Sequence, residues 1–246
     1  MALPASVSAG NNGVVNTITG NRNPTEGLSS QRKPAWLLSL LAAAVGGLLV
    51  TLICVRHEPA LLAGQAVPDA AAEREAARLL TKAASLHAAA GRKGAWDAIF
   101  TDSEVNGWLA TDLPKNHPRL MPAGMSAPRV RFTRDRLAGG ARLHWGPLSA
   151  FGWVDFNVRL RGVNQLALVP RDARLGLLPL PQGLVLTRVA RAIAATGAKT
   201  EIRRLDGEPV LFVSLPSMGG RSAARLRLES LRLDAGDVIL AGSTTD

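Results

Sequence analysis

Residues 150–161 read AFGWVDFNVRLR. Their even positions, Ala150, Gly152, Val154, Phe156, Val158 and Leu160, are all small or apolar. Their odd positions run Phe151, Trp153, Asp155, Asn157, Arg159 and Arg161. Side chains alternate across a strand, so a period of two sustained this long predicts a long strand with one buried face. The other face begins aromatic and ends charged.

The same period recurs on both sides of this stretch. Upstream, PRVRFTR (128–134) sets Val130 and Phe132 on one side and Arg129, Arg131 and Thr133 on the other. ARLHW (141–145) follows Ala138-Gly139-Gly140, which reads as a turn. Downstream, QLALV (165–169), RLGLLPL (174–180), TEIRRL (200–205), PVLFVSL (209–215) and ARLRLESLRL (224–233) continue the series. In the last of these, leucines at 226 and 228 change phase to 231 and 233, the mark of a bulge. Ala235-Gly236-Asp237 then turns into VILAG (238–242), a hairpin.

Helical spacing interrupts the strands three times. DAAAEREAARLLTKAASLHAAAG (69–91) starts with acidic residues and ends in glycine, as helices do. Its apolar positions are mostly alanine, which predicts light packing, either as a stalk above a membrane or as a cover for part of the domain. Thr101-Asp102-Ser103-Glu104 is a capping-box pattern, with Phe100 and Val105 spaced as a hydrophobic staple. The helix it opens presents Val105, Trp108 and Leu109, then Leu113, and Pro114 is expected to end it. In GLVLTRVARAIAAT (183–196), Leu186, Val189, Ala190 and Ile193 share a side, with Thr187, Arg188 and Arg191 opposite. Runs of strands with segregated helices predict an α+β fold: a twisted, mainly antiparallel sheet packed against one or two helices.

Before this domain stands AWLLSLLAAAVGGLLVTLICV (35–55), without a charge. A helix of this length covers roughly 30 Å, about one hydrocarbon core, and predicts a single transmembrane pass. Arg32, Lys33 and Trp36 flank its start, and the basic residues favour a cytoplasmic N-terminus with an extracytoplasmic C-terminal domain. A cleaved signal peptide fits less well, because the apolar run exceeds the usual h-region. Ile53 before Cys54 argues against a lipoprotein cysteine. The expected organisation is a disordered cytoplasmic tail (1–34), a membrane helix (35–55), a linker with an Ala-rich helix (56–95) and an extracytoplasmic α+β domain (96–246).

Net charge is +10, and residues 56–246 carry 26 basic and 18 acidic side chains. Such a domain beside a bilayer can meet anionic headgroups or polymers, or simply carry a solvated arginine surface. Cys54 is the chain's single cysteine, so the domain has no disulfide and no thiol nucleophile. GAKT (197–200) lacks the spacing of a phosphate loop, and His57, His87, His117 and His144 form no metal-ligand pair. Asp102 and Glu104 are explained as acids at a helix start. The expectation is a protein without catalysis, metal or cofactor. Arg129, Arg131, Arg134, Arg136 and Arg142 form the densest basic group, which strand alternation would gather partly on one face. Neither stacking aromatics nor a groove-reading helix accompanies it, so nucleic acid is not the favoured partner.

FTDSEVNGWL (100–109) resembles the F/L-T-x-x-E-L/V-N-x-x-L opening of small membrane-tethered bacterial envelope proteins with lipid-carrier-like (tubular lipid-binding) domains. LESLRLDAGDVILAG (228–242) resembles their closing strand–turn–strand. The resemblance implies a curved sheet around a helix, holding a lipid or other hydrophobic ligand. It would be lined by Val105, Trp108 and Leu109 on the helix side and by Phe156, Val158 and Leu160 on the sheet side. The alternative expectation is an envelope scaffold that meets a protein partner or anionic polymer through the basic sheet face, beside Phe151 and Trp153.

Overall fold

The computed structural model describes residues 43–47, 50, 51, 54–64, 69–215 and 225–245. Contacts divide the chain into Met1–Ala43 and Ala44–Asp246, and the architecture below is that of the second unit. The tail 1–34 and most of the stretch 35–55 lie outside the described residues. Those of its residues described between 44 and 55 are helical. Among the described residues no helix is long and apolar enough to cross a membrane.

The chain forms a short helix α1 (Ala60–Ala63), α2 (Asp69–Ala90), β1 (Gly94–Thr101) and α3 (Asp102–Asn116). A meander follows: β2 (Met125–Thr133), β3 (Arg136–Trp145), β4 (Leu148–Gly162), β5 (Gln165–Leu175) and the short β6 (Leu178–Pro179). Then come α4 (Gln182–Ala194), β7 (Lys199–Leu205), β8 (Glu208–Ser214), β9 (Arg225–Leu233) and β10 (Asp237–Thr245). The fold is α+β and every strand pair among the described residues is antiparallel.

Among the described residues there are two sheets where the sequence suggested one. The larger has the order β2-β3-β4-β5-β8-β7 with β6 beside β5, and the smaller has the order β1-β10-β9. β9 crosses one end of the large sheet, where Asp135 donates its N–H to Leu233 and Asn164 donates its own to Leu228. The main core lies between them. Phe132, Phe156, Val158, Leu168, Leu211 and Val213 from the large sheet meet Leu186 of α4 and Leu233 of β9.

Several expectations hold. The capping box is complete: Glu104 N–H donates to Thr101 Oγ1, and Thr101 N–H donates to Glu104 Oε2. In α4, Leu186 is fully buried, Val189, Ala190 and Ile193 pack on the core, and Thr187, Arg188 and Arg191 are exposed. The bulge in the closing strand is real. Ala241 pairs with Ser230 and Gly242 with Leu228, which leaves Glu229 as the extra residue.

Others fail for identifiable reasons. GAWDAIFT (94–101), which shows no clean alternation, is β1, held by eight residues of register with β10. Residues 174–175 belong to β5, which passes through Pro170 at a bulge and so joins two stretches read as separate. Pro114 does not end α3, which continues to Asn116.

Gly139-Gly140 is strand rather than turn, and the β2–β3 reversal falls at Arg134-Asp135, with Asp135 in the left-handed region at φ 58°. A Cβ on Gly140 would lie 2.7 Å from the Phe151 ring and 2.8 Å from Leu62 Cδ1. The glycine therefore makes room for Leu62 of α1, which is fully buried against Ala138 and Phe151. The segment after the apolar stretch thus lies on the large sheet, on the face opposite the main core.

The Ala-rich α2 does not stand off as a stalk. Ala72 and Ala76 are buried against α3, and a Cβ on Gly107 would lie 2.7 Å from both Ala72 O and Glu75 Cβ. Its small residues allow backbones to approach closely rather than leaving the helix under-packed.

Candidate functional site

Strand register decides which of the candidate residues meet. Arg129, Arg131, Arg136 and Arg142 share one face of β2 and β3, because Arg129 lies opposite Gly140, Arg131 opposite Ala138, Arg136 opposite Asn157 and Arg142 opposite Phe151. The register adds Arg159 of β4 and Arg174 of β5 to that face, together with Phe151, Trp153, Asp155 and Asp172. Arg134 does not join them in register, since it sits in the β2–β3 turn. The sequence grouping missed Arg159 and Arg174 because strand neighbours were not known.

Three carboxylates interrupt this basic face. Glu58, just before α1, pairs with Arg129 and lies 4.0 Å from Arg142. Asp155 lies 3.3 Å from Arg136, and Asp172 lies 2.9 Å from Arg174. Arg174 also stands over the Trp153 ring at 5.9 Å. The Arg136, Arg142 and Arg174 side chains remain between 42% and 47% exposed, so their charge is available to a partner. Burial holds the Asp155 carboxyl above the usual carboxylate range, partly offset by Arg136. Its Oδ1 has no hydrogen-bond partner among the described residues.

The six residues expected to line an apolar ligand site divide. Phe156 and Val158 are buried in the main core with Leu168, Leu186, Leu211 and Val213, and Val105 packs against the same cluster. Trp108 is half-buried beside His117, their ring centroids 5.8 Å apart. Leu109 and Leu160 are half-buried and stand outside that cluster. A separate open groove of about 430 Å³ runs between α2 and β1, with Leu86, Ala89, Ala98 and Ile99 as its apolar lining and Lys82 and Asp97 among its polar residues.

Two asparagines matter that composition does not single out. Asn106 Nδ2–H donates to Val130 O at 2.8 Å, and Val130 N–H donates to Asn106 Oδ1 at 2.7 Å. This side chain acts as a one-residue strand on the free edge of β2. Asn164 does the same for β9, with Nδ2–H to Leu226 O and Leu228 N–H to Oδ1. Asn106 lies within FTDSEVNGWL, and the polar residues of this stretch have structural roles: Thr101 and Glu104 cap the helix, Glu104 pairs with Lys82 at 2.6 Å, and Asn106 fastens the helix to the sheet.

Among the described residues no group of His, Cys, Asp and Glu could hold a metal ion. Comparison with protein-family models, with curated proteins and with solved structures finds no match to this chain.

Proposed function

We propose that the chain is a single-pass bacterial membrane protein, N-terminus cytoplasmic, whose extracytoplasmic α+β domain is a non-enzymatic interaction module of the cell envelope. Its working surface is the basic face of β2–β5, and its partner is an envelope protein or polymer of negative charge. The observation that carries this reading is the gathering of six arginines from four consecutive strands on one face, three of them with exposed, half-neutralised guanidinium groups. Arginine presents a planar fork of donors that suits carboxylate and phosphate groups.

Salt-gradient elution of the detergent-solubilised full chain from a heparin matrix tests it. Arg136→Gln, Arg142→Gln and Arg174→Gln together are expected to move elution to clearly lower salt. Unchanged elution would remove the basic face as the working surface. An alkaline phosphatase reporter fused after Asp246 checks the topology, with an active reporter expected.

A second reading, binding of a small hydrophobic ligand, is favoured by the apolar lining of the α2–β1 groove. Native mass spectrometry of the full chain, released from micelles, would then show a co-purifying lipid that Ala89→Trp displaces.

A further inference from the structure

Among the stretches of the chain that carry no Asp, Glu, Lys or Arg are LMPAGMSAP (120–128), LHWGPLSAFGWV (143–154) and LGLLPLPQGLVLT (175–187). They are far apart in sequence, yet the fold brings them to one end of the large sheet. Met125 pairs with Leu143 and Trp145 with Leu148, which sets the start of β2 beside the β3–β4 turn. Gly152 pairs with Leu175, and Gly176 N–H donates to Phe151 O at 2.6 Å, which sets the β5–β6 turn beside the start of β4.

The tips of these turns are apolar and exposed. Trp145 is 54% exposed and Leu148 50%, on either side of Gly146-Pro147. Leu177, Leu178 and Leu184 are exposed as well. At the opposite end, the β2–β3 turn carries Arg134 and Asp135, and the β4–β5 turn follows Arg159 and Arg161. Charge returns also at the β7–β8 turn with Arg203, Arg204, Asp206 and Glu208, which confines the uncharged rim to β2–β6 and the start of α4.

The end of the uncharged stretch 35–55 packs at this same rim. Leu177 N–H donates to Cys54 O at 2.9 Å, and any side chain on Gly176 would collide with Cys54 and Val55. We infer that this rim, with Trp145 and Leu148 on one turn and Leu177 and Leu178 on the next, inserts into the interface of the lipid bilayer, so that the domain lies on the membrane rather than hanging from a free tether. The inference rests on the proposed reading of 35–55 as a membrane segment.

The chemistry suits a bilayer interface better than a protein socket. Tryptophan prefers the headgroup level, and leucine at a turn tip reaches the acyl boundary. Arg142 stands three residues before Trp145 and Arg174 three before Leu177, where anionic headgroups would meet them. A hydrophobic rim exposed on a soluble surface would otherwise invite association.

The test uses the full chain with Cys54→Ser in vesicles of phosphatidylethanolamine and phosphatidylglycerol, labelled with an environment-sensitive fluorophore at Leu148→Cys, Leu177→Cys or, as a control at the far end, Arg134→Cys. All three sites are exposed and lie in or beside turns, so labelling leaves the core intact. The expected result is blue-shifted emission at 148 and 177, quenched by brominated acyl chains, with water-like, unquenched emission at 134. Alkaline extraction in the same preparation separates the two ideas. A chain retained by the vesicles but unquenched at 148 and 177 overturns the docking and leaves the membrane segment standing. A chain released, and unquenched, overturns both. Quenching at 148 and 177 in a chain that alkali releases supports the docking and overturns the membrane segment.

Discussion

Asn106 is 2% exposed and fills both hydrogen-bonding positions of Val130 on an edge strand. Replacing it by alanine leaves the part-buried N–H and C=O of Val130 without the amide. Each such loss costs about 1–3 kcal/mol, so Asn106→Ala is expected to destabilise the fold by about 2–4 kcal/mol in urea denaturation. Asn106→Asp should be no milder, because it sets a carboxylate against the Val130 carbonyl. A change below about 1 kcal/mol in the alanine variant would show that water or a neighbour replaces the amide. Asp155 behaves in the opposite sense. Its folded-state carboxyl lies above the ordinary value, so the folded chain binds the proton more readily than the unfolded one. At neutral pH both states are charged and the folded state bears the cost of burial. As pH falls through the raised folded value toward the ordinary one, that cost is relieved. Asp155→Asn is therefore expected to be more stable than the parent at pH 7, with the difference shrinking in acid. Denaturation curves at several pH values read this directly, and a gap that does not vary with pH would contradict it. The capping box could be read from residue types alone because its partners lie three residues apart. The clasp of Asn106 could not, since Val130 stands twenty-four residues away.

Between elements, glycine and alanine do what bulk does elsewhere. Gly107 is where α3 meets α2, and a methyl group there would press on Ala72 O and Glu75 Cβ at 2.7 Å. Gly107→Ala gains about 1 kcal/mol in helix propensity. Overpacking typically costs about 1–3 kcal/mol, and here the opposing atoms include backbone, which cannot swing away. The expected outcome is a net loss of stability in thermal unfolding, larger for Gly107→Val, and a rise in melting temperature for Gly107→Ala would refute the close approach. The same reasoning explains why Gly139-Gly140 looked like a turn. Glycine pairs usually mark reversals, but the β3 pair instead leaves space for Leu62 and Phe151. Alternation found the strands wherever one face was buried, as in β4 and β8. It missed β1, whose neighbours are a helix on one side and β10 along its edge. It divided β5 at Pro170 because a bulge resets the phase.

For the whole molecule, the segment 54–64 is part of the folded unit rather than a linker. Leu62 is fully buried and Glu58 pairs with Arg129. A fragment beginning at residue 69 therefore uncovers Ala138 and Phe151 and leaves Arg129 without Glu58. Loss of one buried leucine costs about 2–5 kcal/mol. The fragment beginning at residue 69 is expected to melt below one beginning at residue 54, and to bind a hydrophobic dye that the longer fragment does not. Equal melting temperatures would show that the segment lies on the sheet without stabilising it.

From the sequence by itself come the α+β class, most strands, the three longer helices, the capping box, the bulge in β9 and the uncharged stretch at 35–55. Each depends on near neighbours, on periodicity, or on composition, and those are local quantities. The tertiary structure alone decided that there are two sheets, that α2 packs tightly, that Phe156 and Val158 belong to the main core, and that Arg159 and Arg174 join the basic face. It also gathered the three uncharged segments at the end where Cys54 and Val55 pack. These depend on strand order and register between residues tens of positions apart, which the alternation of a single strand does not encode.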